Sequence, residues 1–347
     1  MDIKMKNFSL ITFALAVFLL GSCQRESHYQ MRGVVLNTVD LATVDWAKKA
    51  HENGINTIGT HMFPGEVVEF IQSPKGQKFM EDCHRYGIAV EHQLHSMAEL
   101  LPRELFAEDS TMFRMDEHGR RVGDWNCCVA SEKALDIIAE NAQKYARLLP
   151  STNHRYYFWL DDGKPTCQCP TCRELLPSEQ ALLIENRIIG ALRKIDPEAK
   201  LAHLSYANSI EAPRKVKPAE GVFLEFAPIM RSWEKPLADT SVEDRGMSHA
   251  ENLKHLKENL AVFSAEDAVV LEYWLDVSLF SGWKKPAVRL PWHKDVFLSD
   301  IDTYAKLGIR NVTSFAVYMD SEYFKSYPDC SYLKEYADGL KEYKPLK

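Results

Sequence analysis

Short apolar runs alternate with longer amphipathic segments along most of the chain. The short runs are rich in β-branched and aromatic residues, and several are apolar at successive positions, which is typical of strands buried on both faces. The predicted strands are Gly33–Thr38, Thr57–His61, Ile88–His92, Tyr156–Leu160, Leu201–Tyr206, Val222–Phe226, Ala268–Trp274 and Asn311–Tyr318.

The longer segments carry the spacing of amphipathic helices. Two of them stop at glycine, Gly54 and Gly308, which is a common helix end. The predicted helices are Thr43–Asn53, Gly76–Tyr86, Ser131–Leu149, Ser178–Ile195, His249–Phe263, Lys294–Leu307 and Leu333–Tyr343. No long helix is predicted between the fifth and sixth strands, and two longer insertions, Met97–Cys128 and Asp162–Pro177, follow the third and fourth strands.

This alternation predicts one α/β domain over residues 30–347, folded as a (β/α)8 barrel. The rival architecture is a doubly wound parallel sheet, but the glycine-rich nucleotide motif typical of that fold is absent from the sequence. No Pro/Gly/Ser-rich linker divides the chain.

The N-terminus has the pattern of an export signal. Two lysines precede the apolar stretch Phe8–Leu20, which is shorter than a membrane span. The run Leu20-Gly21-Ser22-Cys23 resembles a bacterial lipobox, so residues 1–22 are predicted to be a signal peptide and Cys23 the lipidated first residue. A plain secretory signal is the alternative. The lipoprotein hypothesis places the protein in the cell envelope, either in the periplasm or on the outer-membrane surface. Its lipid would hold it to the membrane.

Composition and charge exclude some partners and leave the domain prediction unchanged. The chain of 347 residues is 46% hydrophobic, with a formal net charge of −7. A nucleic-acid partner is not expected, because such proteins normally present a basic stripe. No cofactor for catalysis is predicted, since no nucleotide-binding motif is present.

In a (β/α)8 barrel the functional side chains collect at the carboxyl ends of the strands. Carboxylates, amides and aromatic rings at the predicted strand ends suit a carbohydrate, and a glycan is the predicted substrate. The predicted sugar contacts are His61, His92, Tyr206, Asn208, Glu225, Glu272, Trp274 and Tyr318. Further polar residues at these ends are Asn37, His95, Tyr273 and Asp276.

The adjacent pair Asp161 and Asp162 follows the fourth predicted strand and is the predicted catalytic pair. Adjacent carboxylates do not match the roughly 5–9.5 Å separation of an ordinary glycosidase pair. They suit a mechanism in which the 2-acetamido oxygen of the substrate attacks the anomeric carbon, with one aspartate polarising the acetamido group and the other donating a proton. The alternatives are a helix cap, a calcium ligand, or a glycosidase that opposes Asp162 with Glu225 or Glu272. A glycan-binding lipoprotein without turnover is the alternative outside enzymes.

Cysteines cluster just after this pair. Cys167, Cys169 and Cys172 share one loop, and Cys127 or Cys128 could supply a fourth thiol. This cluster predicts a structural staple, either a disulfide or a zinc site with four cysteine ligands, rather than a catalytic cysteine. Without Cys23 the chain keeps seven of its eight cysteines, an odd number, so at least one thiol is free or metal-bound.

Three segments resemble one bacterial family. The run DDGKPTCQCPTC, the later KLAHLSYANSIEAPRKVKP and the upstream NCCVASEKALDIIAEN are similar to segments of domain-of-unknown-function family 4838. That family is linked to glycoside hydrolase family 163, endo-acting β-N-acetylglucosaminidases of gut Bacteroidetes. The Asp-Asp pair is also similar to that of family 84 O-GlcNAcases. The resemblance implies a glycosidase in which Asp161 polarises the acetamido group and Asp162 is the general acid.

Overall fold

A closed barrel of eight parallel strands forms the centre of the protein in a computed structural model, which describes residues 27–244 and 246–345. The barrel strands are β1 (Met31–Asn37), β2 (Thr57–Met62), β3 (Ala89–His95), β4 (Arg155–Trp159), β5 (Lys200–Tyr206), β6 (Val222–Ala227), β9 (Val269–Glu272) and β10 (Asn311–Phe315). The barrel closes where β1 pairs with both β2 and β10. The predicted (β/α)8 barrel is therefore confirmed.

Helices surround the barrel and connect successive strands. They are α1 (Thr38–Thr43), α2 (Trp46–Asn53), α3 (Pro64–Gln72), α4 (Pro74–Tyr86), α5 (Met97–Leu100), α6 (Glu132–Leu148), α7 (Pro177–Leu192), α8 (His249–Leu260), α9 (Val277–Phe280), α10 (Lys294–Lys306), α11 (Ser321–Ser326) and α12 (Ser331–Lys341). A short antiparallel hairpin of β7 (Glu243–Asp244) and β8 (Met247–Ser248) precedes α8. Among the described residues, no helix combines the length and the apolar character that a membrane crossing needs.

Local chemistry accounts for most helix boundaries. Gly54 and Gly308 adopt positive φ angles of 85° at the ends of α2 and α10, as predicted from the sequence. The Ser131 side chain accepts a hydrogen bond from the backbone of Ala134 and starts α6. The segment between β5 and β6 contains only a 3₁₀ turn at Ala207–Ser209, in agreement with the predicted lack of a long helix.

Several elements differ from the prediction, and two of the differences have a clear local cause. The predicted helix Thr43–Asn53 begins later, at Trp46, because Asp45 caps α2 through the backbone of Lys48 and separates it from α1. Helix α3 was not predicted. It starts with Pro64 at its first position, where a missing N–H costs nothing, and its buried face is formed by Val67, Phe70 and Ile71. The predicted signal peptide and the lipidation site Cys23 lie outside the described residues.

The two long insertions both lie next to the carboxyl end of β4. The insertion after β3 contains α5 and two 3₁₀ turns, Arg103–Ala107 and Ser110–Met112. The insertion after β4 contains the 3₁₀ turn Cys172–Glu174 before α7 begins. These two segments therefore meet at Asp161, whose carboxylate accepts hydrogen bonds from the insertion after β3.

Candidate active site

A cavity of about 300 Å³ opens at the carboxyl end of the barrel. Every strand of the barrel contributes to its wall at or just beyond its last residue. One lining residue from each strand end, in chain order, is Asn37, Met62, His95, Asp162, Tyr206, Ala227, Tyr273 and Phe315. This is the end at which (β/α)8 enzymes hold their substrates, so the cavity is the candidate active site.

Aromatic side chains form much of the cavity wall. Tyr273 stacks on Phe315, with ring centroids 5.3 Å apart and an interplanar angle of 28°. Trp283 lies in the loop after α9 at a φ angle of 56° and is 57% exposed, so its indole is available at the rim. Such flat apolar faces match the apolar faces of a sugar ring.

Asp162 lines the cavity and is the more accessible of the two adjacent aspartates. Its side chain is 62% exposed, and one carboxylate oxygen lies 4.0 Å from Nε2 of His95. Burial, together with the neighbouring Asp162 carboxylate, raises the pKa of Tyr206. Asp162 is thus open to a ligand in the cavity.

Asp161 does not line this cavity. It is 5% exposed, and its two carboxylate oxygens accept hydrogen bonds from the backbone N–H groups of Ala98 and Asn126 at 3.1 and 2.9 Å. The backbone N–H of Asp161 in turn donates to the Asn126 side chain at 2.9 Å. The geometry does not match the predicted role of Asp161 as acetamido polariser, because both oxygens already hold the neighbouring insertion in place.

Asp276 supplies a second carboxylate to the cavity. Its Oδ1 accepts hydrogen bonds from the backbone N–H groups of Ser278 and Leu279 and from the Ser278 hydroxyl, at 3.0, 3.2 and 2.6 Å. These donors fix the carboxylate plane and leave Oδ2 as the oxygen available for a ligand. Burial raises the pKa of Asp276 to about 6.

His61 and His95 lie side by side on the cavity wall, with ring centroids 5.7 Å apart. Nδ1 of each ring donates to a backbone carbonyl, that of Gln93 for His61 and that of Leu160 for His95. Burial, followed by the neighbouring His95 ring, lowers the pKa of His61 to about 4, and burial also lowers the pKa of His95. Both imidazoles are therefore neutral at pH 7, with Nε2 as a hydrogen-bond acceptor.

Three predicted sugar contacts face the surrounding helices instead of the cavity. On β9 and just beyond it, Leu271 and Tyr273 line the cavity, so Glu272 and Trp274 point the other way. The same alternation on β3 turns His92 outward, where its Nδ1 pairs with the Thr60 hydroxyl at 2.8 Å. These three positions correct the prediction that His92, Glu272 and Trp274 contact the substrate.

Glu272 belongs to a fully buried ionic cluster between the barrel and α10. Arg231 pairs with Glu272 at 2.8 Å and with Asp300 at 2.9 Å, and all three side chains are inaccessible to solvent. Glu272 also accepts hydrogen bonds from the Tyr304 hydroxyl and from the indole of Trp233. The indole of Trp274 donates to Asp300 at 3.0 Å. Glu272 and Trp274, which were predicted to contact a sugar, thus have structural roles.

Glu225 lies inside the barrel, beneath the cavity floor. Its Oε2 accepts a hydrogen bond at 2.9 Å from the indole of Trp159, which lines the cavity. Burial, reinforced by the nearby Glu91, raises the pKa of Glu225 well above its ordinary value. Glu225 orients a wall residue and does not itself reach the cavity, which corrects its predicted sugar contact.

Of the remaining predicted contacts, His61, Tyr206 and Tyr318 line the main cavity. Tyr318 has a φ angle of 72°, and the Lys285 ammonium lies 4.5 Å from the centre of its ring. Asn208 is exposed outside the main cavity, and its side-chain amide donates to the Lys164 carbonyl at 3.0 Å. The structure therefore does not place Asn208, a predicted sugar contact, at this cavity.

Several wall residues were not chosen from the sequence. His95, Tyr273 and Asp276 lie at predicted strand ends, but only the alternation of side chains along β3 and β9 in the structure shows that the first two face the cavity. Trp159 and Phe315 lie within apolar strand sequences, which predict core positions for them. Trp283 lies in a loop with no sequence pattern that points to the cavity.

Four cysteines meet behind the Asp161–Asp162 segment. Cys128 comes from the insertion after β3, and Cys167, Cys169 and Cys172 come from the insertion after β4. Their sulfur atoms all lie within 4.8 Å of one another, and the side chains are buried. Cys127 is buried as well but is not part of this group.

The fold and the cavity together define the class: this is a parallel (β/α)8 barrel protein with a ligand-sized cavity at the carboxyl ends of its strands. Residues 21–337 match the family described as "Domain of unknown function (DUF4838)", and the chain belongs to that family. The family resemblance in the sequence is therefore confirmed. The sequence matches none of the curated proteins.

Solved structures with a similar fold include several glycoside hydrolases. A family 20 β-N-acetylglucosaminidase superposes with a TM-score of 0.51 at 7% identity, over 91% of this chain and 70% of that chain. The O-GlcNAc hydrolase of Thermobaculum terrenum gives 0.53 at 8% identity, over 92% of this chain and 61% of that chain. A family 5 enzyme from Prevotella bryantii, in complex with a xyloglucan tetradecasaccharide, gives 0.51 at 12% identity, over 91% of this chain and 98% of that chain. At these identities the likeness establishes the fold alone.

Proposed function

We propose that this protein is a glycoside hydrolase that acts on β-linked N-acetylhexosamine-containing glycans. The observation that carries the proposal is the pair Asp162 and Asp276 on an aromatic-walled cavity at the carboxyl end of the barrel. Two carboxyl groups are the usual requirement for glycosidic bond cleavage, and the aromatic rings supply surfaces on which a sugar can stack. Structural neighbours named as glycosidases add support at the level of the fold.

In the proposed reaction the substrate supplies its own nucleophile. The 2-acetamido oxygen attacks the anomeric carbon while the bond to the leaving oxygen breaks. Asp162, at the open side of the cavity, donates a proton to that oxygen, and it then accepts a proton from the water that hydrolyses the cyclic intermediate. Asp276 takes the polarising role that the sequence assigned to Asp161, with Oδ2 accepting from the acetamido N–H.

The pKa of Asp276 suits this role. Because burial places it at about 6, the group is mostly ionised at pH 7 and can accept a hydrogen bond from an amide N–H. The three donors on Oδ1 hold the carboxylate in one orientation, so little order is lost when a substrate binds. His61 and His95 add neutral acceptors for sugar hydroxyls.

The positions of the two carboxylates in the barrel also support a second glycosidase mechanism. Asp162 follows the fourth strand of the barrel and Asp276 follows the seventh, so they approach the cavity from different sides of the mouth. Two carboxylates placed across a cavity can also act as general acid and nucleophile on a sugar that has no acetamido group. In this version Asp162 remains the acid and Asp276 attacks the anomeric carbon.

Paired substrates separate the two mechanisms. We expect the protein to hydrolyse aryl N-acetyl-β-D-glucosaminide or an N-glycan, and to be inactive on the matching aryl β-D-glucoside. Equal turnover of both aryl glycosides would contradict the substrate-assisted mechanism and favour the opposed-carboxylate one. Sugar binding without turnover, unaffected by Asp162→Asn, would contradict both and identify a glycan-binding protein.

We further propose that the protein acts in the cell envelope as a lipoprotein. The support is the run Leu20-Gly21-Ser22-Cys23 after an apolar stretch. We expect the protein in the membrane fraction of its host and Cys23→Ala in the soluble exported fraction. An unchanged distribution of Cys23→Ala would contradict lipid anchoring.

A further inference from the structure

The four-cysteine group, Cys128, Cys167, Cys169 and Cys172, has the geometry of a metal site. All four sulfurs lie within 4.8 Å of one another, and Cys128 Sγ is 3.7 Å from Cys169 Sγ and 3.8 Å from Cys172 Sγ. Four thiolates bound tetrahedrally at about 2.3 Å from one zinc ion lie about 3.8 Å from each other. The two separations from Cys128 Sγ match the edges of a zinc tetrahedron, and the others lie within about 1 Å of that length.

The same separations do not match a disulfide. Bonded sulfurs are about 2.05 Å apart, and one bond would leave the other two thiols of the group unpaired. A disulfide needs two sulfurs to approach each other, whereas here four converge on one point. Their burial also argues against a reactive thiol, since attacking thiolates need access.

The surroundings of the group favour negative charge on sulfur. The backbone N–H groups of Met115 and Cys169 donate to Cys167 Sγ at 3.3 and 3.5 Å, and the Arg121 guanidinium lies 3.9 Å from the same atom. Zinc with four thiolates has a net charge of about −2, and N–H donors and a nearby cation offset that charge.

A buried glutamine fixes the loop that carries three of the cysteines. Gln180 on α7 accepts from the Cys167 backbone N–H at 3.1 Å and donates to the carbonyls of Cys167 and Cys172 at 3.1 and 3.0 Å. These bonds hold the backbone with its sulfurs converging, as a preformed ligand set requires.

We propose that Cys128, Cys167, Cys169 and Cys172 bind one structural Zn²⁺ ion. With four protein ligands the ion has no open position for substrate, so its role is structural. It joins the insertion after β3 to the insertion after β4. Asn126, two residues before Cys128, exchanges backbone and side-chain hydrogen bonds with Asp161, so the zinc site supports the segment that presents Asp162. The proposal stands independently of the glycosidase function.

Metal analysis of the purified full chain tests the proposal directly. We expect about one zinc per chain by mass spectrometry. After denaturation with chelator and no reductant, we expect all cysteines other than Cys23 to react with a thiol reagent. Replacing zinc by Co²⁺ is expected to give the intense visible absorption of tetrahedral thiolate coordination. A metal-free native protein would overturn the proposal, and so would a loss of two reactive thiols, which reports a disulfide.

Neighbouring cysteines provide matched variants. We expect Cys169→Ser to lower the zinc content to below about 0.2 per chain, whereas Cys127→Ser, at a buried cysteine outside the group, keeps about one. Zinc lost from Cys127→Ser and retained by Cys169→Ser would overturn the ligand assignment. If Cys169→Ser does not fold, the wild-type zinc content and the Co²⁺ spectrum still decide the question.

Discussion

Carboxylate side chains at the carboxyl ends of the barrel strands have different roles on the two faces of the barrel, the cavity side and the helix side. On the cavity side, Asp162 and Asp276 line the cavity, the first with an exposed side chain and the second with a buried one. On the helix side, Glu272 is fully buried and engages Arg231. A carboxylate at a strand end is thus not by itself a site residue. The direction of its side chain decides whether it meets a ligand or a neighbouring helix.

Adjacent residues illustrate this difference most clearly. Asp161 and Asp162 are neighbours in sequence, yet the first is 5% exposed with both oxygens occupied, and the second has a side chain that is 62% exposed. Glu272 and Tyr273 are neighbours with the same opposition, one facing α10 and the other the cavity. Each pair allows stability and activity to be separated by mutation.

The largest effect on stability is expected on the helix side. Glu272→Ala leaves the buried Arg231 without one of its two carboxylate partners, and we expect a loss of about 3–5 kcal/mol in the free energy of unfolding. Urea denaturation followed by circular dichroism measures it. A loss below about 1 kcal/mol would contradict the structural role assigned to Glu272.

Asp161 is expected to follow with a smaller loss. Asp161→Ala removes the acceptor for two backbone N–H groups, those of Ala98 and Asn126, and we expect about 2–4 kcal/mol of destabilisation. The matched control is Asp162→Ala, which should change stability by less than about 0.5 kcal/mol because its side chain is exposed. Equal destabilisation by the two variants would contradict the comparison.

The regular part of the fold follows from the sequence because its signals are local. Buried strands appear as continuous apolar runs, and Gly54 and Gly308 mark helix ends through their positive φ angles. Helix α3 escaped prediction because its N-terminal Pro64-Gly65 resembles a turn, although proline is favoured at the first helical position. The barrel could thus be predicted even where single boundaries could not.

The site could be predicted only in part, because an apolar run in the sequence does not show in which direction each side chain of the strand points. When both faces of a strand are buried, the sequence does not distinguish the residues that face the lumen from those that face the helices. Glu272 and Trp274 were therefore placed on the wrong side of β9, whereas His61 and Tyr206 line the cavity. Likewise, adjacent Cys127 and Cys128 are equivalent in sequence, and only Cys128 joins the four-cysteine group.

The pH profile tests the cavity side with a moderate expected effect. If ionised Asp276 holds the acetamido group, kcat/KM should fall about tenfold per pH unit below the Asp276 pKa of about 6, because protonation removes the acceptor. In the Asp276→Asn variant, kcat/KM should be low at every pH and should no longer fall as the pH drops below about 6. A profile that instead falls as the pH rises above about 6 would make Asp276 the general acid.

Trp283 should show the smallest effect of the series. Its indole is 57% exposed at the rim, so Trp283→Ala should weaken sugar stacking without disturbing the fold. We expect KM to rise about three- to tenfold, with kcat changed less than about twofold. Steady-state kinetics on an aryl N-acetylglucosaminide measures both parameters. A large loss of kcat at unchanged KM would place Trp283 closer to the reacting atoms than the structure indicates.

The most direct test of the central claim is the kcat of Asp162→Asn on an aryl N-acetyl-β-D-glucosaminide, measured on protein shown to be as stable as the wild type. If the cavity-facing carboxylates perform the chemistry, kcat should fall by about 10²-fold or more while the free energy of unfolding changes by less than about 0.5 kcal/mol. Wild-type turnover by Asp162→Asn would contradict the account.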